Sequence, residues 1–179
     1  MTEAFTSALI AELGKKTGVC WLSYATPDGP PDDERPRPAW HVWHDDALLV
    51  VAGGDEQPLP DLEEATRVEV TMRSKENGGR LVTWVGVPSV IRPGDDRWDD
   101  ATAALVTDRL NLDDLGTAAD DWAARSVVVR IEPTGEVAED PGSLEDGPLT
   151  APPPSTPATT RGALPRVLHR RRRGRPELS

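Results

Sequence analysis

The chain contains a single cysteine, Cys20, among its 179 residues. One cysteine excludes a disulfide within the chain and any metal site built from several thiolates. Cys20 lies in an alternating apolar stretch, so we expect a buried, unreactive thiol. The sequence also lacks a run of about 18 apolar residues and a basic, apolar leader, so it predicts neither a membrane span nor a signal peptide. The expected location is the cytoplasm.

Positive charge is scarce in most of the chain. The formal net charge is −11, and the lysines are Lys15, Lys16 and Lys75. Residues 161–179 contain seven arginines and one glutamate, a net charge of +6, so the preceding 160 residues carry −17. A body this acidic repels the phosphates of nucleic acids, which leaves the arginine-rich tail for non-specific contact with polyanions.

The hydrophobic pattern predicts six strands and two or three helices. Apolar residues recur at helical spacing in residues 4–13, where Gly14 provides a stop, and in a second helix that begins near Asp95 or Asp96. Alternating or continuous apolar residues between turn signals indicate strands at residues 18–26, 37–44, 47–52, 67–74, 80–91 and 122–133. Their short connections favour a mostly antiparallel α+β domain on a closed or half-closed sheet.

Three local features refine this prediction. The continuous apolar run at residues 47–52 indicates a strand buried on both faces. Pro88 indicates a sheet edge or a bulge, because proline has no N–H for a ladder. Asp61 is positioned to cap a short helix, and residues 113–121 are expected to form a loop before the last strand.

A glycine-bearing loop follows the third strand. The segment VVAGGDEQPLPDL, residues 50–62, opens at Gly53 and Gly54 and leads into a helix start, which is the outline of a phosphate-binding loop. This loop carries Asp55, Glu56 and Asp61 and no lysine or arginine. Each acid beside a phosphate adds repulsion on the order of 1 kcal/mol at an effective dielectric near 20. The loop therefore has the outline of a phosphate site without its usual chemistry.

The order of these elements resembles that of the pyridoxamine 5'-phosphate oxidase-like, FMN-binding split barrels. The resemblance covers about residues 4–137 and rests on the PDG turn, RPAWHVWHDDALLVV, the glycine loop, DLEEATRV, VEVTM, RLVTWVGVPSVI and VVVRIEP. It implies a split β-barrel that forms a homodimer, with FMN in a groove at the dimer interface. It also implies an oxidoreductase acting on an unknown small molecule. The sequence does not choose among FMN, a deazaflavin and haem.

The resemblance further implies which residues would contact the cofactor. Arg37 matches a position where the family often has an arginine, and Trp40 and His41 lie on the strand that lines the groove. Trp84 is a candidate for stacking on the cofactor, against the simpler interpretation of a core or interface tryptophan. No catalytic residue is assigned, because a flavin itself carries out the redox chemistry.

The phosphate contacts implied by the resemblance fall on the loop. Ala52 or Gly53 takes the place of the family's Ser or Thr, Gly54 offers a backbone amide, and Gln57 is the one hydrogen-bond-donating side chain where a cation is usual. This missing cation favours a second hypothesis, in which the chain is a cofactor-free split-barrel dimer that serves as a binding or structural module.

The remaining features predict no further chemistry. His41 and His44 project to opposite sides of one strand, so they do not form a metal site. The domain is expected to span residues 1–138. Residues 139–179 are proline-rich and then arginine-rich, with few apolar residues, and this composition is typical of a disordered tail.

Overall fold

A computed structural model describes residues 3–26, 35–75, 78–108 and 116–143. The α+β class is confirmed. The described ranges contain three helices, seven strands and one 3-10 turn, Leu62–Glu64. The helices are α1 Glu3–Lys16, α2 Trp98–Asp108 and α3 Ala118–Arg125. The strands are β1 Val19–Ser23, β2 Arg37–Trp40, β3 Val42–His44, β4 Ala47–Ala52, β5 Val68–Arg73, β6 Arg80–Ile91 and β7 Val127–Glu139.

The seven strands form one antiparallel sheet in the order β2-β1-β5-β6-β7-β4-β3. The two edge strands, β2 and β3, are separated in sequence by His41 alone. Consecutive Cα atoms are about 3.8 Å apart, so the facing ends of these edges lie within about 7.6 Å. The sheet therefore curls until its edges meet, which gives the expected half-barrel.

The strand predicted at residues 37–44 is two strands, which accounts for seven rather than six. Its first half pairs with β1, where Val19 lies opposite Trp40. Its second half pairs with β4, where His44 lies opposite Ala47. The chain stays extended but changes partners at His41, and a hydrophobic pattern does not record which strand is the partner.

Two hydrophobic clusters hold the sheet in shape. The first fills the inside of the half-barrel and includes Leu22, Val50, Val70 and Trp84, all fully buried. The second lies between the outer face of β4 and β7 and helices α2 and α3. Its central side chains are Leu49, Val51, Leu105, Trp122 and Val128. The predicted burial of residues 47–52 on both faces is confirmed, because alternate side chains of β4 enter the two clusters.

The expectation that Gly14 ends the first helix is wrong, since α1 continues to Lys16. A Cβ atom at Gly14 would lie 2.4 Å from Cε3 of Trp43, which is closer than carbon atoms approach. The glycine therefore lets α1 pack directly on this tryptophan.

The expectation of a loop through residue 121 and a strand from residue 122 is also wrong, because Ala118–Arg125 is a helix. Asp121 and Arg125, four residues apart, form an ion pair of 2.9 Å on its exposed face. Ala118 and Trp122 have the same spacing and are both buried. These i,i+4 pairs were the helical signal in the sequence.

Pro88 lies at a sheet edge, as predicted. β5 pairs with β6 only as far as Gly86, and beyond this point β6 pairs with β7 alone. Asp61 precedes the 3-10 turn with φ of 57° but forms no side-chain capping bond, so the predicted cap is wrong. β7 extends to Glu139, and most of the predicted tail, residues 144–179, lies outside the described residues. Within the described ranges, no helix has the length and apolar character needed to cross a membrane.

Candidate functional site

The side chain of Gln57 joins the glycine loop to strand β2. Its Nε2 group donates hydrogen bonds to the carbonyl oxygens of Trp40, at 2.9 Å, and Val51, at 3.2 Å. Its Oε1 atom accepts a hydrogen bond from the backbone N–H of Trp40. The amide thus forms hydrogen bonds with both backbone groups of the last β2 residue, on an edge strand of the sheet. Gln57 acts as a cross-link between β2 and the end of β4.

Backbone hydrogen bonds close the loop on itself. The N–H of Gly53 donates to the carbonyl of Gln57 at 3.0 Å, and the N–H of Glu56 donates to the carbonyl of Gly53 at 3.0 Å. Gly53 and Gly54 both have positive φ, 79° and 61°. A Cβ atom at Gly54 would lie 2.7 Å from the carbonyl oxygen of Arg125, so the loop also packs directly on the end of α3.

The acids of the loop bind α3. Glu56 accepts a hydrogen bond of 2.8 Å from the indole N–H of Trp122. Asp55 pairs with Arg125 at 2.9 Å. The sequence analysis did not assign these contacts, because it placed residues 118–121 in a loop and Trp122 in a strand. The acids that are unsuited to a phosphate therefore have a structural role, which is to hold α3 against the end of β4.

Arg37 lies beside Tyr24 at the other end of β2. Its guanidinium carbon is 4.8 Å from the centre of the tyrosine ring. Burial is the main cause that raises the pKa of Tyr24 to about 12; Arg37 opposes this rise, and the carboxylates of Asp61 and Glu63 contribute to it. Arg37 and Asp61, the last acid of the loop, therefore both act electrostatically on Tyr24.

The other candidates lie deeper. His41 is 2% exposed, and its Nε2 atom is 3.3 Å from the carbonyl oxygen of Gly14. Because a carbonyl only accepts, Nε2 carries the proton. Burial lowers the pKa of His41 to about 4, so the ring is neutral at pH 7. Ala52 and Trp84 belong to the inner cluster, and Trp84 has no exposed surface with which to stack on a ligand.

The structure thus brings together some of the predicted site residues. Trp40, Ala52, Gly53 and Gln57 meet at the junction of β2 and β4. Arg37 lies with Tyr24, while His41 and Trp84 point into packed surroundings.

The described residues contain no group of three metal-binding side chains. His44 instead pairs with Asp100 at 2.6 Å. The Cys20 thiol is fully buried, and burial raises its pKa, as expected for an unreactive cysteine.

Comparison of the sequence with models of known protein families gives no match, and comparison with curated proteins gives none either. Comparison of the fold with solved structures does give matches. HutZ, the haem storage protein from Vibrio cholerae, aligns at 17% identity with a TM-score of 0.52, over 70% of this chain and 88% of HutZ. The conserved hypothetical protein Rv2991 from Mycobacterium tuberculosis aligns at 17% identity with a TM-score of 0.51, over 75% of this chain and 81% of that one.

At these identities the similarity shows a common fold. The sheet of this chain curls until its edges meet at His41, and its fold matches the folds of these two structures. The chain has the split-barrel fold of the pyridoxamine 5'-phosphate oxidase-like proteins.

The glycine loop of this split barrel does not fit a cofactor phosphate. The Gly53 N–H and the Gln57 side chain are used within the protein, and Asp55 and Glu56 face α3. Arg37 does fit, because it is half-buried at the start of β2 and a guanidinium forms paired, charge-assisted hydrogen bonds with phosphate. Any phosphate held beside β2 would therefore lie toward Arg37 rather than in the loop.

Proposed function

We propose that this split barrel binds a flavin-type cofactor beside β2 and is an oxidoreductase of the pyridoxamine 5'-phosphate oxidase-like class that acts on a small molecule. The observation that carries the proposal is the position of Arg37. It places a cation on the strand that, by resemblance, lines the flavin groove, and near the end of a loop that lacks cations of its own.

In this proposal the chain's residues bind and orient the cofactor. Arg37 holds the phosphate, and the backbone of β2, fixed by Gln57 at Trp40, forms a rigid wall beside it. A bound flavin supplies the hydride or electron chemistry, so the protein needs no acid or base of its own.

A second candidate function is a cofactor-free split-barrel module. The observation that favours it is the internal use of the loop, whose polar groups are satisfied by β2 and α3 instead of being directed at a ligand. Burial of Trp84 removes one further candidate contact from the surface. Under this alternative the junction of β2, β4 and α3 serves stability alone.

We also propose that the protein is a cytoplasmic homodimer. A half-barrel of this size leaves apolar strand surface that a second copy would cover. Val87 on β6 is 48% exposed, which supports such a contact. Sedimentation at micromolar concentration is expected to give a mass of twice 19.4 kDa, and a monomer alone would contradict the homodimer.

The function is tested by titrating the full-length protein with FMN, riboflavin, a deazaflavin and haemin. Haemin is included because HutZ is named a haem storage protein. FMN is expected to bind about tenfold or more tightly than riboflavin, because a charge-assisted bond to phosphate contributes about 1.5–3 kcal/mol. Arg37→Gln should remove most of this difference and leave riboflavin affinity nearly unchanged.

The matched control is Arg92→Gln, since Arg92 is an exposed arginine outside β2. Loss of the FMN preference in Arg37→Gln but not in the control supports flavin binding. If none of the flavins binds the unmodified protein and haemin does not bind either, the cofactor-free function is the correct one. If haemin alone binds, the flavin proposal is wrong.

A further inference from the structure

The three lysines of the chain lie around two adjoining cavities. Lys16, Thr17 and Gly18 line both of them. Lys15 reaches the first cavity from the end of α1, and Lys75 reaches the second from the end of β5. Lys15 and Lys16 lie in the last turn of α1, where a lysine complements the helix dipole. The dipole does not account for Lys75, which follows Lys16 by 59 residues in the sequence.

The second cavity has a volume of about 350 Å³ and combines an apolar floor with a basic rim. Val19 and Trp21 of β1 form the floor. The guanidinium of Arg73 lies 3.9 Å from the centre of the Trp21 ring, so it is held in place by a cation–π contact. Its Nε group is buried and has no hydrogen-bond partner.

The charge of this cavity is opposite to that of the domain. Among the described residues, no acid lines it, and Lys16 pairs with Glu12 on the helix surface at 2.5 Å. Arg73, Lys16 and Lys75 therefore give this cavity a positive lining within a domain that carries a large negative charge. A concave site lined by one sign of charge concentrates the opposite ion, so an anion is favourable there.

We propose that this cavity, which we call the lysine cavity, binds a small molecule that has an anionic group, phosphate or carboxylate, on an apolar body. The anion lies among Lys16, Arg73 and Lys75, and the apolar body covers Val19 beside Trp21. The site is separate from the glycine loop and from Arg37, and the inference does not rest on flavin binding.

The test uses phenyl phosphate as the probe and follows the backbone amide signals of Thr17, Gly18 and Ser74 by NMR in the full-length protein. These signals report the cavity itself, so binding to the arginine-rich tail does not enter the result. Inorganic phosphate and phenol supply the anion and the apolar body separately. We expect saturable shifts with phenyl phosphate and binding at least about threefold weaker for each of the two fragments.

Two variants and one control decide the assignment. Lys75→Gln should weaken phenyl phosphate binding about three- to tenfold, and Lys16→Gln combined with Lys75→Gln should abolish it. Because every lysine belongs to the two cavities, the matched control is the exposed Arg92→Gln, which should bind like the unmodified protein. The proposal is overturned if phenyl phosphate gives no saturable shift in these amides, or if Lys75→Gln and Arg92→Gln bind it equally. FMN and riboflavin affinities are measured separately, so either proposal can fail without the other.

Discussion

The glycine loop and the lysine cavity show that the backbone shape of an anion site and its charge can be found in different parts of one molecule. The loop has two positive-φ glycines after a buried strand, yet its acids bind Trp122 and Arg125 of α3. The lysine cavity has no glycine-rich motif but gathers three cations over an apolar floor. The glycines therefore indicate where the backbone turns, whereas the side chains that line a cavity indicate which ligand it can bind.

The strongest way to test the structural role of the loop is to remove the Gln57 amide. Gln57→Ala removes three hydrogen bonds to partly buried backbone groups, at about 1–1.5 kcal/mol each, so we expect a loss of about 4 kcal/mol in the free energy of unfolding. Urea denaturation measures it. Pro58→Ala, at an exposed neighbour, is the matched control and should change stability by less than about 0.5 kcal/mol. Equal effects would mean that the cross-link contributes little.

The next test concerns His41, which lies beside the first of the two cavities together with Lys15 and Lys16. Burial lowers its pKa from 6.5 to about 4 in the folded protein. Between these two pH values the unfolded chain binds more protons, so stability falls as the pH falls. The full loss is about 3 kcal/mol, because one pKa unit corresponds to about 1.4 kcal/mol.

Urea denaturation at several pH values from 7 to 4 measures this loss. His41→Gln keeps a donor for the Gly14 carbonyl and should flatten the pH dependence in that window. His44→Gln, at the half-exposed histidine of β3, controls for the removal of a histidine. If the pH dependence is the same in all three proteins, His41 is not buried as a neutral ring.

The two glycines of the loop offer a finer comparison. Both have positive φ, so alanine at either position costs about 1 kcal/mol of backbone strain. A Cβ at Gly54 also meets the Arg125 carbonyl at 2.7 Å, whereas a Cβ at Gly53 has nothing within 4 Å. We expect Gly54→Ala to destabilise the protein by about 2 kcal/mol more than Gly53→Ala, as measured by thermal or urea denaturation. Similar losses would show that α3 moves away at little cost.

Much of the fold was predictable because burial leaves a local pattern. The strand at residues 47–52 showed its two buried faces as a continuous apolar run, and Pro88 indicated the edge of β6. Partner changes leave no such pattern, so the break at His41 was missed. Gly14 was misread because a glycine that permits close packing and one that ends a helix look the same in a sequence.

The candidate site was less predictable for a related reason. The loop acids Asp55 and Glu56 were judged unsuited to phosphate without knowledge of their partners, which lie 70 and 66 residues away on α3, a helix that was itself missed. The lysines are likewise 59 residues apart and meet only because β5 ends beside the start of β1. Contacts of this range depend on sheet order, which a single sequence does not state.

The smallest expected effect comes from adding the cation that the loop lacks. Gln57→Lys is unsuitable because it would remove the cross-link to Trp40, whereas Pro58 is exposed and accepts a lysine without loss of a contact. An added charge beside a phosphate at an exposed site would contribute about 0.5–1 kcal/mol, or about two- to fivefold in affinity, but the phosphate is expected toward Arg37, so Pro58→Lys should change FMN affinity by less than about twofold. Fluorescence quenching measures the affinity, and Pro58→Gln is the neutral control. Riboflavin has no phosphate, so its affinity should stay the same in both variants.

A gain for FMN alone would show that the loop lies beside the phosphate and lacks only charge. No gain, with FMN still preferred over riboflavin through Arg37, would place the phosphate away from the loop and leave the loop with a structural role only.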